Sequence, residues 1–286
     1  MGGAAIKAEQ FLIIIGAAKC ATTSLFDYLS QHPAVCASIT KEPDYFLERR
    51  QRFPGVRHYE DFWPDFDQAV HRFALEGSTH YTMRGTQRGV PERMLAYGIQ
   101  PRLIYVVRDP VKRIESHVNY KVMYSRERAS FEDPCIIDAS RYSRQLEPYV
   151  GAFGSDAIRV VDFNDLCQDP NQVCANIYSW LGIEAHVVDD LVVSNESASV
   201  KTSHLERVEA LKRFGRRLPP RVNQPVKKLV KNILPYRHKQ ILLPPDSAER
   251  IRESLREDIM KFAREWNVDI LSWGFDTPDD QARQRD

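Results

Sequence analysis

The 286-residue sequence has little charge imbalance, no long apolar run and no internal repeat. Its formal net charge is only +1, so it lacks the strong positive field with which many proteins bind nucleic acid. No apolar run approaches the roughly 20 residues that span a bilayer. The start Met-Gly-Gly-Ala-Ala lacks the features of a signal peptide. We therefore expect no nucleic-acid partner and no transmembrane segment.

Cysteine is also scarce, with five residues that do not form the paired spacings of a metal site. Their number is odd, which argues against a complete disulfide framework. We expect no bound metal and a reducing, cytoplasmic environment. This environment fits best, although a membrane anchor upstream of this sequence would leave the same cysteine pattern.

The length and the alternation of apolar runs with helical periodicity predict an α/β fold, in which helices flank a central parallel sheet. We expect one domain over residues 1–286, with residues 1–9 disordered. Residues 204–240 form a basic segment interrupted by prolines. From 201 to 240 the chain has twelve Lys and Arg against two Glu, which indicates either a solvated basic face or a surface for an anionic ligand.

A phosphate-binding loop is predicted between the first strand and the first helix. The strand is the apolar run at 11–15, and Leu25, Tyr28 and Leu29 then recur at helical spacing. A helix start offers unpaired N–H groups to an anion, and lysine and hydroxyl side chains add to that site. A plain connecting turn is the alternative. The predicted cofactor-binding residues here are Gly16, Ala17, Ala18, Lys19, Cys20, Ala21, Thr22, Thr23 and Ser24.

This loop does not match the ATPase pattern G-x-x-x-x-G-K-[ST]. Lys19 lies only three residues after Gly16 and is followed by Cys20. The loop therefore favours a nucleotide binder of another kind.

A second anion site is predicted where the strand at 102–107 ends in Arg108. Asp109 and Pro110 suit the cap and first position of a helix, in which Ser116 lies two turns along. Arg108 and Ser116 would bind one phosphate, unless this is only a capped helix with a surface arginine. Two anion sites at one edge of a parallel sheet predict a ligand with phosphates at both ends.

At these positions the chain resembles the sulfotransferases that use 3'-phosphoadenosine 5'-phosphosulfate (PAPS). Residues 16–23 are similar to their 5'-phosphosulfate loop, and Arg108-Asp109-Pro110-x-x-Arg113-x-x-Ser116 is similar to their 3'-phosphate motif. Three further stretches, at 41–46, 55–64 and 76–81, resemble the heparan-sulfate-type branch. The resemblance implies a P-loop-like fold, PAPS as co-substrate and adenosine 3',5'-bisphosphate as product. It also implies that Lys201 contacts the donor.

Three residues are predicted to be catalytic. Sulfuryl transfer needs charge stabilisation at the leaving oxygen and removal of the acceptor proton. Lys19 is predicted to act at the leaving oxygen. The resemblance implies that Glu42 is the general base. The alternative is that Glu42 is a surface glutamate that only pairs with Lys41. His80 is the competing base, because an imidazole titrates near neutral pH.

Some positions depart from the family pattern. Ala21 stands where the family usually has glycine, so we expect an ordinary helical backbone there rather than a left-handed one. Glu76, beside these positions, is expected to orient Lys41 or Lys19.

The sequence therefore predicts a PAPS-dependent sulfotransferase that modifies a hydroxyl or amine of a carbohydrate or small metabolite. A P-loop kinase and a noncatalytic nucleotide-binding protein are the alternatives. The oligomeric state is not predicted.

Overall fold

The computed structural model describes residues 6–48, 53–122, 129–189 and 241–275. Its five strands form one parallel sheet in the order β2-β3-β1-β4-β5. The strands are β1 (Phe11–Gly16), β2 (Val35–Ala37), β3 (Phe73–Gly77), β4 (Arg102–Val107) and β5 (Ile158–Asp162). All six residues of β1 are buried, as expected for the central strand of a covered parallel sheet.

Helices connect and flank these strands, which confirms the predicted fold class. In the described residues they are α1 (Thr22–Leu29), α2 (Val90–Tyr97), α3 (Pro110–Tyr120), α4 (Pro134–Asp138), α5 (Tyr142–Phe153), α6 (Phe163–Gln168), α7 (Pro170–Leu181) and α8 (Pro245–Trp266). Their apolar stripes pack into one core with the sheet. In α5, for example, Tyr142, Leu146 and Tyr149 are all buried.

Aspartates cap two of these helices, and the cap of α3 confirms the prediction made from the sequence. The Asp109 carboxylate accepts hydrogen bonds from the N–H groups of Val111 and Lys112 at the start of α3. Asp169 does the same for Gln172 at the start of α7. These caps fix where each helix begins relative to the sheet.

The ends of the chain differ in part from expectation. Residues 8–10 form a short 3-10 helix, so the predicted disorder of 1–9 is wrong for its last residues. Residues 1–5, the basic segment 204–240 and Lys201 lie outside the described residues.

The sheet register brings three connections to one edge. Ile14 of β1 lies beside Gly77 of β3 on one side and Ile104 of β4 on the other. Because all three strands are parallel, the segments that follow them leave the sheet at the same end. The loop after β1, the turn after β3 and the start of α3 therefore meet.

Candidate active site

Gly16 is the residue at which the loop leaves β1. A Cβ at this position would overlap Thr82 Oγ1 and lie 2.8 Å from Cε2 of Tyr105. Thr82 is itself held by a hydrogen bond of 2.8 Å from its hydroxyl to the Ile15 carbonyl. Only glycine fits this close approach, which presses the loop against the neighbouring strands.

The backbone of the loop is left-handed at two residues that have side chains. Lys19 has φ 73°, and Ala21, the N-cap of α1, has φ 60° and ψ 26°. The expected ordinary helical conformation of Ala21 is therefore wrong. The Ala21 carbonyl accepts the first helical hydrogen bond, from Leu25 N–H at 3.1 Å, so the turn of the loop overrides the local preference of alanine.

The predicted loop residues divide into buried and accessible groups. Ala17, Cys20, Thr22 and Ser24 are buried, whereas Ala18, Lys19, Ala21 and Thr23 are partly exposed. Burial raises the pKa of the Cys20 thiol to about 12, so this thiol stays neutral at physiological pH. Cys20 therefore contributes packing and its backbone to the loop, and no anionic thiolate.

Lys19 lies where three of the predicted site residues meet. Its Nζ is 4.0 Å from the centroid of the Tyr120 ring. Burial lowers the pKa of Lys19, the Glu42 carboxylate opposes that shift, and the Arg108 guanidinium adds to it. The structure thus brings Glu42 and Arg108 each within electrostatic range of Lys19.

Arg108 is held at the end of β4 by aromatic neighbours. Its guanidinium lies 4.4 Å from the centroid of the Phe163 ring, and its carbonyl accepts a 2.6 Å hydrogen bond from the Tyr142 hydroxyl. Ser116 lies half-buried on α3. Joint binding of one phosphate by Arg108 and Ser116 stays a prediction.

Arg113 braces the loop and had no role among the sequence-based predictions. The side chain is fully buried. Its guanidinium donates to the Ala18 carbonyl at 3.4 Å, to Ser140 Oγ at 2.6 Å and to the Ile136 carbonyl. Its place in the Arg108–Ser116 motif is the only sequence signal for this function.

His117, one turn further along α3, is a neutral imidazole. Its Nδ1 accepts a hydrogen bond from Arg113 Nη1 at 3.2 Å, which leaves the proton on Nε2. Burial, with the nearby cations Arg113, Lys121 and Lys19, lowers the pKa of His117 to about 3. The ring can therefore donate a hydrogen bond from Nε2 but carries no charge.

The Glu42 carboxylate lies within electrostatic range of Lys19 and is held through one oxygen. Lys41 Nζ lies 3.1 Å from Glu42 Oε1, and the Thr79 hydroxyl donates to the same oxygen at 3.2 Å. The Glu42 N–H donates to the Gly77 carbonyl at 2.9 Å, which ties the residue to the end of β3. The side chain is 38% exposed, so the carboxylate remains accessible to an acceptor.

His80 forms a separate pair with Asp44. Its Nδ1 is 3.0 Å from Asp44 Oδ2, and this hydrogen bond raises the pKa of His80. A raised pKa increases the protonated fraction near neutral pH, in which state the ring cannot accept a proton. The geometry therefore favours Glu42 over His80 as the base.

Glu76 is a fully buried acid behind this pair. Burial raises its pKa to about 8, the Asp44 charge adds to the rise, and the hydroxyls of Tyr81 and Tyr59 with the Lys41 charge oppose it. Neither carboxyl oxygen has a hydrogen bond of normal geometry within the described residues. Of the two lysines that Glu76 was expected to orient, Lys41 is the one whose charge acts on it.

A polar cavity of about 350 Å³ opens beside the same turn, between the start of α2 and α5. Arg84, Arg88 and Arg144 lie in its wall, together with Tyr81 and Gln145. Carboxylates pair with two of these arginines, Glu147 with Arg84 and Asp138 with Arg144, each at 2.9 Å. The cavity therefore suits a polar ligand and has little excess charge.

Within the described ranges, no cluster of three or more His, Cys, Asp or Glu has the arrangement of a metal site. None of the helices in that part of the chain is long and apolar enough to cross a membrane. The predictions of no metal and of a cytoplasmic location remain predictions.

The sequence profile of the sulfotransferase domain family matches residues 9–217, which is more than half of the chain. The chain belongs to the sulfotransferase family. This assignment confirms the resemblance drawn from the loop and the Arg108 motif. It gives the kinase alternative no support.

The similar proteins include enzymes that act on heparan sulfate. This chain is 28% identical over 209 residues to mouse heparan sulfate glucosamine 3-O-sulfotransferase 3B1. The match covers 68% of this chain and 52% of the mouse protein. It is 26% identical over 195 residues to human bifunctional heparan sulfate N-deacetylase/N-sulfotransferase 2. That match covers 60% of this chain and 22% of the human protein. The chain thus spans about half the length of the 3-O-sulfotransferase.

A solved structure agrees over almost the full length of both chains. A sulfotransferase from Alicyclobacillus acidocaldarius has a TM-score of 0.66 with 21% identity, covering 94% of this chain and 99% of that one. This likeness confirms the predicted sulfotransferase fold.

Proposed function

We propose that this chain transfers a sulfuryl group from PAPS to a hydroxyl or amine of a carbohydrate acceptor. The observation that carries the proposal is the convergence of Lys19, Arg108 and Glu42 at one edge of the sheet. The first two provide positive charge for a bis-phosphorylated donor, and the third provides a proton acceptor. The heparan sulfate enzymes among the relatives favour a carbohydrate over a small metabolite.

The donor would lie across the carboxyl ends of β1 and β4. The loop amides, Thr23 and Lys19 would hold the 5'-phosphosulfate at the start of α1, where the helix dipole favours an anion. Arg108 and Ser116 would hold the 3'-phosphate. Arg113 would keep the loop in shape through Ala18. The predicted contact from Lys201 lies outside the described residues.

The transfer step needs one nucleophile, one base and one stabilised leaving group. The acceptor oxygen attacks sulfur, its bond to sulfur forms, and the bond from sulfur to the bridging oxygen of the 5'-phosphosulfate breaks. The electron pair of that bond stays on the phosphate oxygen, where the Lys19 charge stabilises it. The acceptor proton passes to Glu42. The products are the sulfated acceptor and adenosine 3',5'-bisphosphate.

The polar cavity beside Tyr81 supports a sugar-like acceptor. Its wall offers guanidinium and amide groups, and Tyr81 joins it to the turn that carries Thr79 and His80. Such polar groups bind the hydroxyls of a carbohydrate better than they bind an apolar ligand. We extend the proposal to catalysis without a metal, to a cytoplasmic location and to the absence of a nucleic-acid partner.

The test is transfer of labelled sulfate from PAPS to a panel of oligosaccharides and small metabolites, with EDTA present. Sulfation of an oligosaccharide is expected. Magnesium-dependent transfer of labelled phosphate from ATP would replace the proposal with the kinase alternative. Tight binding of adenosine 3',5'-bisphosphate without turnover on any acceptor would point to a noncatalytic nucleotide-binding protein.

A further inference from the structure

We infer that Thr79 is a positioning residue, whose hydroxyl fixes the ionised Glu42 carboxylate with one oxygen bound and the other turned to the acceptor. This inference rests on the proposed role of Glu42 as the base. It concerns a residue from another part of the chain, 37 positions away.

The first step is the occupancy of the two carboxylate oxygens. Lys41 Nζ and Thr79 Oγ1 both lie at Oε1, at 3.1 and 3.2 Å. Within the described residues, no hydrogen bond to Oε2 is present. Two donors on one oxygen stop the carboxylate from rotating freely and leave Oε2 as the site for the acceptor proton.

The second step is the rigidity of Thr79, the hydrogen-bond donor. Thr79 is 6% exposed and begins the 3-10 turn that follows β3. The Glu42 backbone is tied to the same strand end through the Gly77 carbonyl. Lys41 by contrast has a long flexible side chain, so the short threonine fixes the direction of the carboxylate more firmly.

The third step is what else acts on the carboxylate. The charged groups within electrostatic range of Glu42 are Lys41, Lys19 and His80. Lys41 also binds Oε1, so loss of Thr79 removes only one of the two contacts that hold this oxygen.

The test compares Thr79→Val with Thr79→Ser in steady-state sulfate transfer from PAPS. Valine keeps the shape and removes the hydrogen-bond donor, whereas serine keeps it. For Thr79→Val we expect kcat to fall about three- to tenfold with little change in KM for PAPS. Thr79→Ser should keep both properties near those of the unchanged protein.

Thr86→Val is the matched control, because Thr86 is an exposed threonine whose hydroxyl donates to the Met83 carbonyl instead of a carboxylate. It should keep kcat near that of the unchanged protein. A normal kcat in Thr79→Val would overturn the inference, as would equal losses in the valine and serine variants. A Glu42→Gln protein with full activity would instead remove the proposed base, and the inference with it.

Discussion

Arg113 donates a hydrogen bond from its buried guanidinium to the Ala18 carbonyl at 3.4 Å, and so joins α3 to the loop that precedes α1. This side chain therefore links the two predicted anion sites.

Replacing Arg113 should damage both stability and donor binding. Arg113→Ala leaves Ser140, the Ile136 carbonyl and the Ala18 carbonyl without their donor, so the free energy of unfolding should fall by about 3 kcal/mol or more. Arg113→Lys keeps the charge but loses the forked guanidinium. Its free energy of unfolding should lie between those of Arg113→Ala and the unchanged protein. Denaturant unfolding and calorimetric titration with adenosine 3',5'-bisphosphate measure the two effects. An unchanged affinity in Arg113→Ala would contradict the bracing role.

Replacing Lys19 should affect the chemistry far more than the fold. Lys19→Ala removes the charge beside the leaving oxygen, so kcat should fall by about 100-fold or more. Lys261→Ala provides a control, because this half-exposed lysine of α8 pairs only with Glu265 among its described partners. The measurement is sulfate transfer with circular dichroism as the check on folding. Near-normal turnover of a folded Lys19→Ala protein would exclude Lys19 from the mechanism.

The two candidate bases can be separated by paired variants. Glu42→Gln should abolish transfer while binding of adenosine 3',5'-bisphosphate remains, because the amide cannot accept the proton. His80→Ala should keep most of the activity, since His80 is paired with Asp44, whose hydrogen bond raises the His80 pKa and so favours the form that cannot accept a proton. The opposite pattern of rates would assign the base to His80.

Glu76 should make the protein less stable as the pH rises. Its pKa is about 8 in the folded chain against 4.5 in the unfolded one, so only the unfolded state ionises between these values. The contribution of Glu76 is greatest below pH 4.5 and falls by up to about 1.4 kcal/mol per pH unit until about pH 8.

Glu76→Gln removes this titration. Its stability relative to the unchanged protein should therefore increase from acidic to alkaline pH. Urea unfolding at pH 5 and pH 8.5 gives the comparison. A difference in unfolding free energy that is the same at both pH values would show that Glu76 is ionised in the folded chain.

Ala21 offers a small gain in stability. Glycine removes the cost of a left-handed alanine, roughly 1–2 kcal/mol, and loses part of that gain to the greater entropy of the unfolded chain. Ala21→Gly should therefore be more stable by about 0.5–1 kcal/mol. Ala21→Val should be less stable than the unchanged protein. Thermal unfolding compares the stability of both variants with that of the unchanged protein. A loss of stability in Ala21→Gly would show that the left-handed alanine carries no strain.

The fold and the position of the loop between β1 and α1 could be predicted because their signals are local. Each signal predicts its structure within a few residues. These signals are the apolar runs of β1 and β4, the Asp109 cap and the glycine at position 16. The common edge then follows from parallel strands. Even there the Ala21 expectation was wrong, because the loop closure outweighs the preference of a single residue.

The rest of the site depends on contacts between distant segments. The partners Thr79 and Glu42 are 37 positions apart, and Arg113 and Ala18 are 95 apart. No periodicity or cap predicts such a pair. The raised pKa of Glu76 likewise comes from complete burial, which its place in a short strand does not show.

The burial of Cys20 has a practical consequence for handling the protein. A thiol that remains protonated inside the core reacts poorly with alkylating and oxidising reagents. Cys135 and Cys167 are exposed instead, and both lie away from the loop in sequence. A maleimide dye should therefore label Cys135 and Cys167 and leave Cys20 unmodified.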